Sequence, residues 1–167
     1  MKPQEVDSDF ELRCRLACIE DLKSIIELLA DDELGAQREV AGKEPAASYQ
    51  QAFAAIQQDP NNELLVAEYN QHVVAVLQLT FTPNLSHQGS WRATIEGVRV
   101  ASRLRSHGFG TRLMEMAIDR ARQRGCRLVQ LTSNSQRTSA IRFYERLGFE
   151  HTHAGMKMWL PVSDASG

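Results

Sequence analysis

Val98-Arg99-Val100-Ala101-Ser102-Arg103-Leu104-Arg105-Ser106-His107-Gly108-Phe109-Gly110-Thr111 is the stretch on which the reading of this chain turns. Ahead of it, Ile95, Val98 and Val100 form an apolar, β-branched run; behind it, Leu113, Met114, Ala117, Ile118 and Ala121 recur at helical spacing until Gly125. The order is strand, loop, helix. Glycines let the backbone turn tightly and present consecutive N–H groups to an anion, and the free N–H groups of the following helix add their dipole. Arg103, Arg105 and His107 place charge or donors beside them. A dinucleotide fingerprint needs a small residue where Leu113 stands, and no Gly-Lys-Ser/Thr follows to make a Walker loop. An anion cradle and an ordinary left-handed turn remain.

Upstream, residues 91–100 read as the fourth strand, with Gly97 inside it marking a bulge or a close backbone approach. Residues 64–69 and 73–81, separated by a short polar turn, predict a hairpin, and 83–89 a loop. The charged–apolar alternation of 10–16 predicts the first strand. Glu20 and Asp21 ahead of Leu22, Ile25, Ile26, Leu28 and Leu29 predict a helix to about 34, and Tyr49, Ala52, Phe53 and Ile56 a second over 48–58. Downstream, the helix runs 110–124 with Gly125 as its stop. Residues 127–132 form a fifth strand, parallel to the fourth by a right-handed crossover. A helix over 138–147 capped by Gly148 follows, then a last strand within 149–160. The fold class is α/β in the mixed α+β sense, with residues 1–9 a flexible N-terminus, 10–160 one domain and 161–167 a tail.

The 167 residues suffice for one domain with a continuous core. No apolar run approaches the roughly 20 residues of a membrane span, and the N-terminus lacks the apolar region of a signal peptide, so no membrane partner and a cytoplasmic location are expected. Cys14, Cys18 and Cys126, odd in number and without metal-type spacing, read as reduced packing thiols. The net charge of −2 hides an asymmetry. Residues 99–146 hold eleven Arg against three acids, a net of +8, while the remainder holds eight basic against eighteen acidic residues, −10. A basic segment around a phosphate-type loop points to an anionic small ligand, and the lack of interleaved aromatics argues against nucleic acid.

Arg105-x-x-Gly108-x-Gly110 resembles the cofactor loop of the GNAT-type N-acetyltransferases, and Asn134…Ala140-x-x-Phe143-Tyr144-x-x-x-Gly148-Phe149 resembles their second signature, in the same order. The resemblance covers about residues 94–149. It implies the GNAT fold, a central mixed sheet of six to seven strands flanked by about four helices, with the fourth and fifth strands splayed. It further implies acetyl-CoA as co-substrate and no metal. The pyrophosphate would sit on Arg105, Ser106, His107, Gly108, Phe109, Gly110 and Thr111. The pantetheine arm would pair with Val98, Arg99 and Val100 as an added strand, with Asn134 and Phe143 beside it. Glu96 would serve as base, directly or through water, and Tyr144 as the acid that protonates the departing thiolate. Homodimers are common in the superfamily, and one is expected here.

The short acidic region between the first two helices (Asp31, Asp32, Glu33, Glu39, Glu44) is either an attractor for a cationic amine or a solvated surface. His151 and His153 share a face if the last strand is regular. Two ligands make a weak metal site, so His153, with His87, is assigned to the neighbourhood of the acceptor. The leading reading is an N-acetyltransferase that transfers the acetyl group to a primary amine of a small molecule by direct attack in a ternary complex. A peptide acetyltransferase and a non-catalytic acyl-CoA sensor are the alternatives; a sensor could dispense with Glu96 and Tyr144.

Overall fold

The alternation read along the chain resolves, in a computed structural model that describes residues 12–40, 42 and 44–160, into one five-stranded sheet of order β1-β2-β3-β4-β5. The expected termini 1–9 and 161–167 lie outside the described residues, as does the start of the first strand. The chain divides at Leu131/Thr132 into two units, described separately below.

In the first unit, β1 (Arg13–Leu16), β2 (Asn62–Tyr69), β3 (His72–Pro83) and β4 (Trp91–Val100) form an antiparallel meander, and β5 (Cys126–Leu131) joins β4 in parallel. Asn70 and Gln71, both at positive φ (50° and 63°), turn β2 into β3 in the two-residue geometry that suits the twist of a hairpin. The sheet has two unlike faces. Leu65, Leu77, Leu79, Phe81, Ala93 and Ile95, each at most 2% exposed, lie on the face covered by α5 (Phe109–Gln123). The helix contributes Leu113, Met114, Ala117 and Ala121 to that layer. Each fully buried Leu or Met side chain stabilises by roughly 1.5–3 kcal/mol. The opposite face meets α1 (Leu22–Ala30) and α3 (Ala47–Gln58) through Leu22, Ile25, Ile26, Phe53, Val66 and Val76.

Four differences from the sequence reading have identifiable causes. The expected helix to residue 34 breaks at Asp31, because the Asp32 carboxylate accepts from the Gly35 N–H (2.6 Å) and starts a new one-turn helix, α2 (Glu33–Ala36). The 83–89 loop holds a single turn, α4 (Ser86–Gly89), broken by left-handed His87 and Gln88. The strand expected within 149–160 is not formed: those residues carry no regular structure, and Met156, Met158, Trp159 and Leu160 are 78–94% exposed. The sheet of the described residues therefore has five strands rather than six to seven. The bulge expected at Gly97 is present. Gln78 pairs with Glu96 and Val76 with Arg99, so Leu77 faces both Gly97 (φ +63°) and Val98.

β1 is secured by a charge cluster. The Arg15 guanidinium bonds both oxygens of Asp21 (2.6 and 3.0 Å) and also Glu68 (2.7 Å). Burial pushes the Asp21 carboxyl up, but the Arg15 and Cys18 donors outweigh it and hold it below its ordinary value. The three cysteines are free thiols whose pKa values are all raised, Cys14 and Cys126 chiefly by burial.

The second unit holds α6 (Thr138–Arg146), ended by Gly148 at φ +91°.

Candidate functional site

The expected cofactor strand is the far half of β4. Its parallel pairing with β5 stops at Ile95↔Leu131, while β4 runs on through Glu96, Val98, Arg99 and Val100. The bulge fixes what this half presents. Glu96, in register with Gln78, is exposed on the α1/α3 face; were the same residues paired one-to-one beyond it, Arg99 would oppose Ala75 and fall on the opposite face. Instead its Nε lies 3.4 Å from Asp32 Oδ2, with the Arg99 side chain 12% exposed. Two carbonyls of this half already have donors: Val98 O accepts from Arg99 Nη1 (2.9 Å) and Val100 O from Arg105 Nε (3.3 Å).

The loop after β4 is held from α1. Asp31 Oδ2 accepts from the Ser102 N–H (2.6 Å), and the Asp31 carbonyl accepts from Arg105 Nη2 (2.8 Å). Arg105 is thereby a brace between two backbone carbonyls. Ser106 (φ +66°) and Gly108 (φ +85°) are both left-handed on either side of His107, whose Nδ1 lies 2.8 Å from the Arg105 carbonyl. Only an acceptor is offered there, so Nδ1 carries the proton and Nε2 faces away. Helix α5 starts at Phe109, and its first closing bond is Arg112 N–H to Gly108 O (3.1 Å). Glycine supplies no cap, so the N–H groups of Phe109, Gly110 and Thr111 emerge at the loop. The Phe109 ring is 9% exposed and packs 5.1 Å from Tyr69. Gly110 sits in the first helical turn without positive φ, so the left-handed requirement belongs to Gly108.

The charge asymmetry is internal only in part. Arg120 pairs with Glu63 and Arg99 with Asp32, acids outside the segment, whereas Arg122 pairs with Asp119 (2.6 Å) and Arg112 with Glu115 (3.3 Å), acids already counted within it. Arg124 donates to the Pro60 carbonyl and lies over the Phe81 ring (4.6 Å). Of the acids read as an amine attractor, Asp31, Asp32 and Glu39 serve internal bonds, the last to the Tyr49 hydroxyl (2.8 Å). His87 stands exposed on the broken turn α4.

In the second unit, Asn134 folds an Asx turn: its Oδ1 accepts from Gln136 N–H and its carbonyl from Arg137 N–H, both at 2.9 Å. The Phe143 and Tyr144 rings, on successive positions of α6, lie 5.2 Å apart, and Phe149 meets Tyr144 edge-on at 6.1 Å. The Phe149 N–H returns to the Tyr144 carbonyl (3.1 Å). His151 and His153 are exposed in irregular chain, so the shared strand face does not arise; His153 Nδ1 bonds Thr152 Oγ1 (2.7 Å).

Among the described residues, no three His, Cys, Asp or Glu side chains are grouped so as to hold a metal, and no helix is long and apolar enough to cross a membrane. Sequence reasoning missed Tyr69, which packs on Phe109 from 40 residues away, and the internal bonds of Asp31 to Arg105, 74 residues on, and of Asp32 to Arg99 of β4. Only the Asp-x-x-Gly spacing at 32–35 carried a local signal, that of an N-cap.

Comparison with known proteins agrees with this geometry. An aminoalkylphosphonate N-acetyltransferase of Salmonella typhimurium is 33% identical over 106 residues, 64% of this chain and 68% of that protein. A Bacillus halodurans crystal structure described as a transcriptional regulator superposes with a TM-score of 0.88 at 50% identity, covering 90% of this chain and all of that one. A putative acetyltransferase from Agrobacterium tumefaciens superposes with a TM-score of 0.78 at 26% identity over 89% of this chain and 99% of its own. A model of the acetyltransferase (GNAT) family matches residues 22–149, most of the chain, which therefore belongs to the GNAT family and is an acetyl-CoA-dependent acyltransferase.

Proposed function

We propose that the chain transfers the acetyl group of acetyl-CoA to a primary amine of a small molecule by direct attack within a ternary complex. The observation that carries this is the continuity of β4, freed from β5 after Ile95, with a loop whose left-handed Ser106 and Gly108 lead into the open N–H groups of α5. The pyrophosphate takes those N–H groups together with Ser106 and His107. The pantetheine amides run along Val98 to Val100. There the carbonyls of Val98 and Val100 already accept from guanidinium groups, so the strand's N–H groups are the ones left to offer.

The acceptor ammonium, with an ordinary pKa near ~10, loses a proton to Glu96, directly or through one water. Its lone pair forms the new C–N bond at the thioester carbon, a backbone N–H of Val98 to Val100 receives the oxyanion, and the C–S bond breaks. Tyr144 protonates the thiolate, the new nitrogen gives up its extra proton to water as the amide forms, and Asn134 and Phe143 bind the arm. His87 and His153 are assigned to the acceptor surroundings. The substrates named for the relatives, an aminoalkylphosphonate among them, support a small amine. A second reading, an acyl-CoA sensor, is favoured by the regulator description of the 50% identical structure.

Titration calorimetry with acetyl-CoA and CoA tests the cofactor, and ligand at a hundred times its dissociation constant should stabilise the fold by roughly 2.7 kcal/mol. Single-turnover thiol release then separates enzyme from sensor. Tyr144→Phe should lower the rate on the order of 10²–10⁴-fold while keeping acetyl-CoA affinity. An unchanged single-turnover rate removes Tyr144 from the mechanism.

A further inference from the structure

The face of the sheet that carries Glu96 is only partly apolar. Beyond the cluster under α1 and α3 it shows a polar rung across four strands, Asn62↔Thr80↔Thr94↔Gln130, and beside it the pair Gln78↔Glu96. The hydrogen bonds on this rung have a direction set from one end. The Asp59 carboxylate is anchored by the Asn61 N–H (2.8 Å) and by Asn62 Nδ2 (2.5 Å), and these two donors hold its pKa below the ordinary value. An ionised carboxylate only accepts, so Asn62 must turn its amino group to Asp59 and its Oδ1 inward. That oxygen receives Thr80 Oγ1 (2.8 Å) and Gln78 Nε2 (3.1 Å). Gln78 therefore spends its amino group on Asn62, and the group left at its other end is Oε1. The assignment of nitrogen and oxygen in both amides follows from the carboxylate.

Directly opposed residues of an antiparallel pair share a face with Cβ atoms about 4.5–5.5 Å apart, which sets Gln78 and Glu96 at neighbouring positions of one face. We propose that Gln78 Oε1 and the Glu96 carboxylate form an acceptor-only pair that binds the ammonium of the acceptor substrate, with Gln78 the residue that orients it. The inference rests on the proposed acetyltransferase reading and names the part of the substrate which this face recognises: a primary ammonium. Two of its N–H groups meet the two acceptors. After Glu96 has taken one proton, the bond to Gln78 Oε1 persists and fixes the direction of the lone pair.

The test compares wild type with Gln78→Met, which keeps length and volume but removes the acceptor together with the donor to Asn62, using acetyl-CoA with 2-aminoethylphosphonate, glucosamine 6-phosphate and neamine as probe amines. Loss of one hydrogen bond to a charged group should raise the amine KM on the order of 10- to 100-fold. The acetyl-CoA KM and the calorimetric CoA affinity should be unmoved, and the melting temperature should fall only by the few degrees that loss of the Gln78–Asn62 bond implies. Asn62→Leu, which frees the Gln78 amide to rotate, should reproduce part of the amine KM effect. Thr80→Val, which removes a different donor to the same oxygen, should not. An unchanged amine KM in Gln78→Met, a rise shared equally by both substrates, or CoA binding without turnover of any probe amine overturns the proposal. Absence of CoA binding in the wild type instead overturns the acetyltransferase reading beneath it.

Discussion

Replacing Gly35 by alanine sets two physical effects against each other. Gly35 sits within α2, where alanine is intrinsically better by about 1 kcal/mol. Against that, a Cβ built on Gly35 would stand 2.0 Å from the Leu29 carbonyl oxygen and 3.1 Å from Asp32 Oδ1. An ordinary carbon–oxygen contact is more than an ångström longer than the first of these, and the obstacle is backbone, so α1 and α2 must part. Overpacking of this kind costs roughly 1–3 kcal/mol, and loss of the Asp32 cap about 1 more. Sterics outweigh propensity, leaving a net loss of about 1–3 kcal/mol, or roughly 2–12 °C in melting temperature for a chain of this size. The same elbow holds the cofactor loop through Asp31 and β4 through the Asp32–Arg99 pair, so CoA affinity measured by calorimetry should fall with it. A Gly35→Ala protein that melts at or above the wild-type temperature refutes the steric argument. One that melts lower yet binds CoA normally refutes the bracing argument.

Gly108→Val tests the loop from another side: no atom lies within 4 Å of an added Cβ, so the fold bears only the left-handed penalty of about 1–2 kcal/mol. The branched side chain would stand over the N–H groups of α5, and CoA affinity should drop at least about tenfold; wild-type affinity in the folded variant sinks the assignment. Asp21 gives a pH dependence. Its folded pKa lies below its ordinary 3.8, so its contribution is complete above about pH 4 and is lost as the pH falls through the folded pKa. With an 8% exposed side chain and two bonds to Arg15 weakened, while Glu68 still pairs the guanidinium, Asp21→Asn should cost about 2 kcal/mol at pH 7, and the gap to wild type should narrow in urea melts below pH 4. A gap that stays constant down to pH 2 would assign the loss to packing.

Local patterns in the sequence carried well. Helix α3 begins at 47 against an expected 48, β4 spans the expected 91–100, and Gly97, Gly125 and Gly148 all take positive φ. These features depend on neighbours in sequence, on alternation or on a conformation that one residue type adopts readily. The losses came where distant residues decide. Nothing near Arg120 announces Glu63, 57 positions earlier, so part of a basic segment read as a ligand field is tied up within the fold. The alternation within 149–160 tells which side chains would share a face, and gives no information on whether a strand edge receives them. Around the site, the left-handed turn at Gly108 was legible, whereas the bond of Asp31 to Ser102 and the pairing of Gln78 with Glu96 emerge only from the fold.

The extra residue in β4 changes how that strand must be counted. Before Gly97 the even positions, Thr94 and Glu96, look toward α1; after it the odd position Arg99 does. Removing Gly97 would mend the ladder with β3, leaving Val98 opposite Leu77 and Arg99 still opposite Val76 on the Asp32 side. The bulge thus absorbs one residue without turning anything downstream to the other face. A single-residue gap here is silent for the later side chains, while one placed elsewhere in the strand would turn all of them over. Relatives aligned across β4 are comparable residue by residue only when the gap is placed at the bulge.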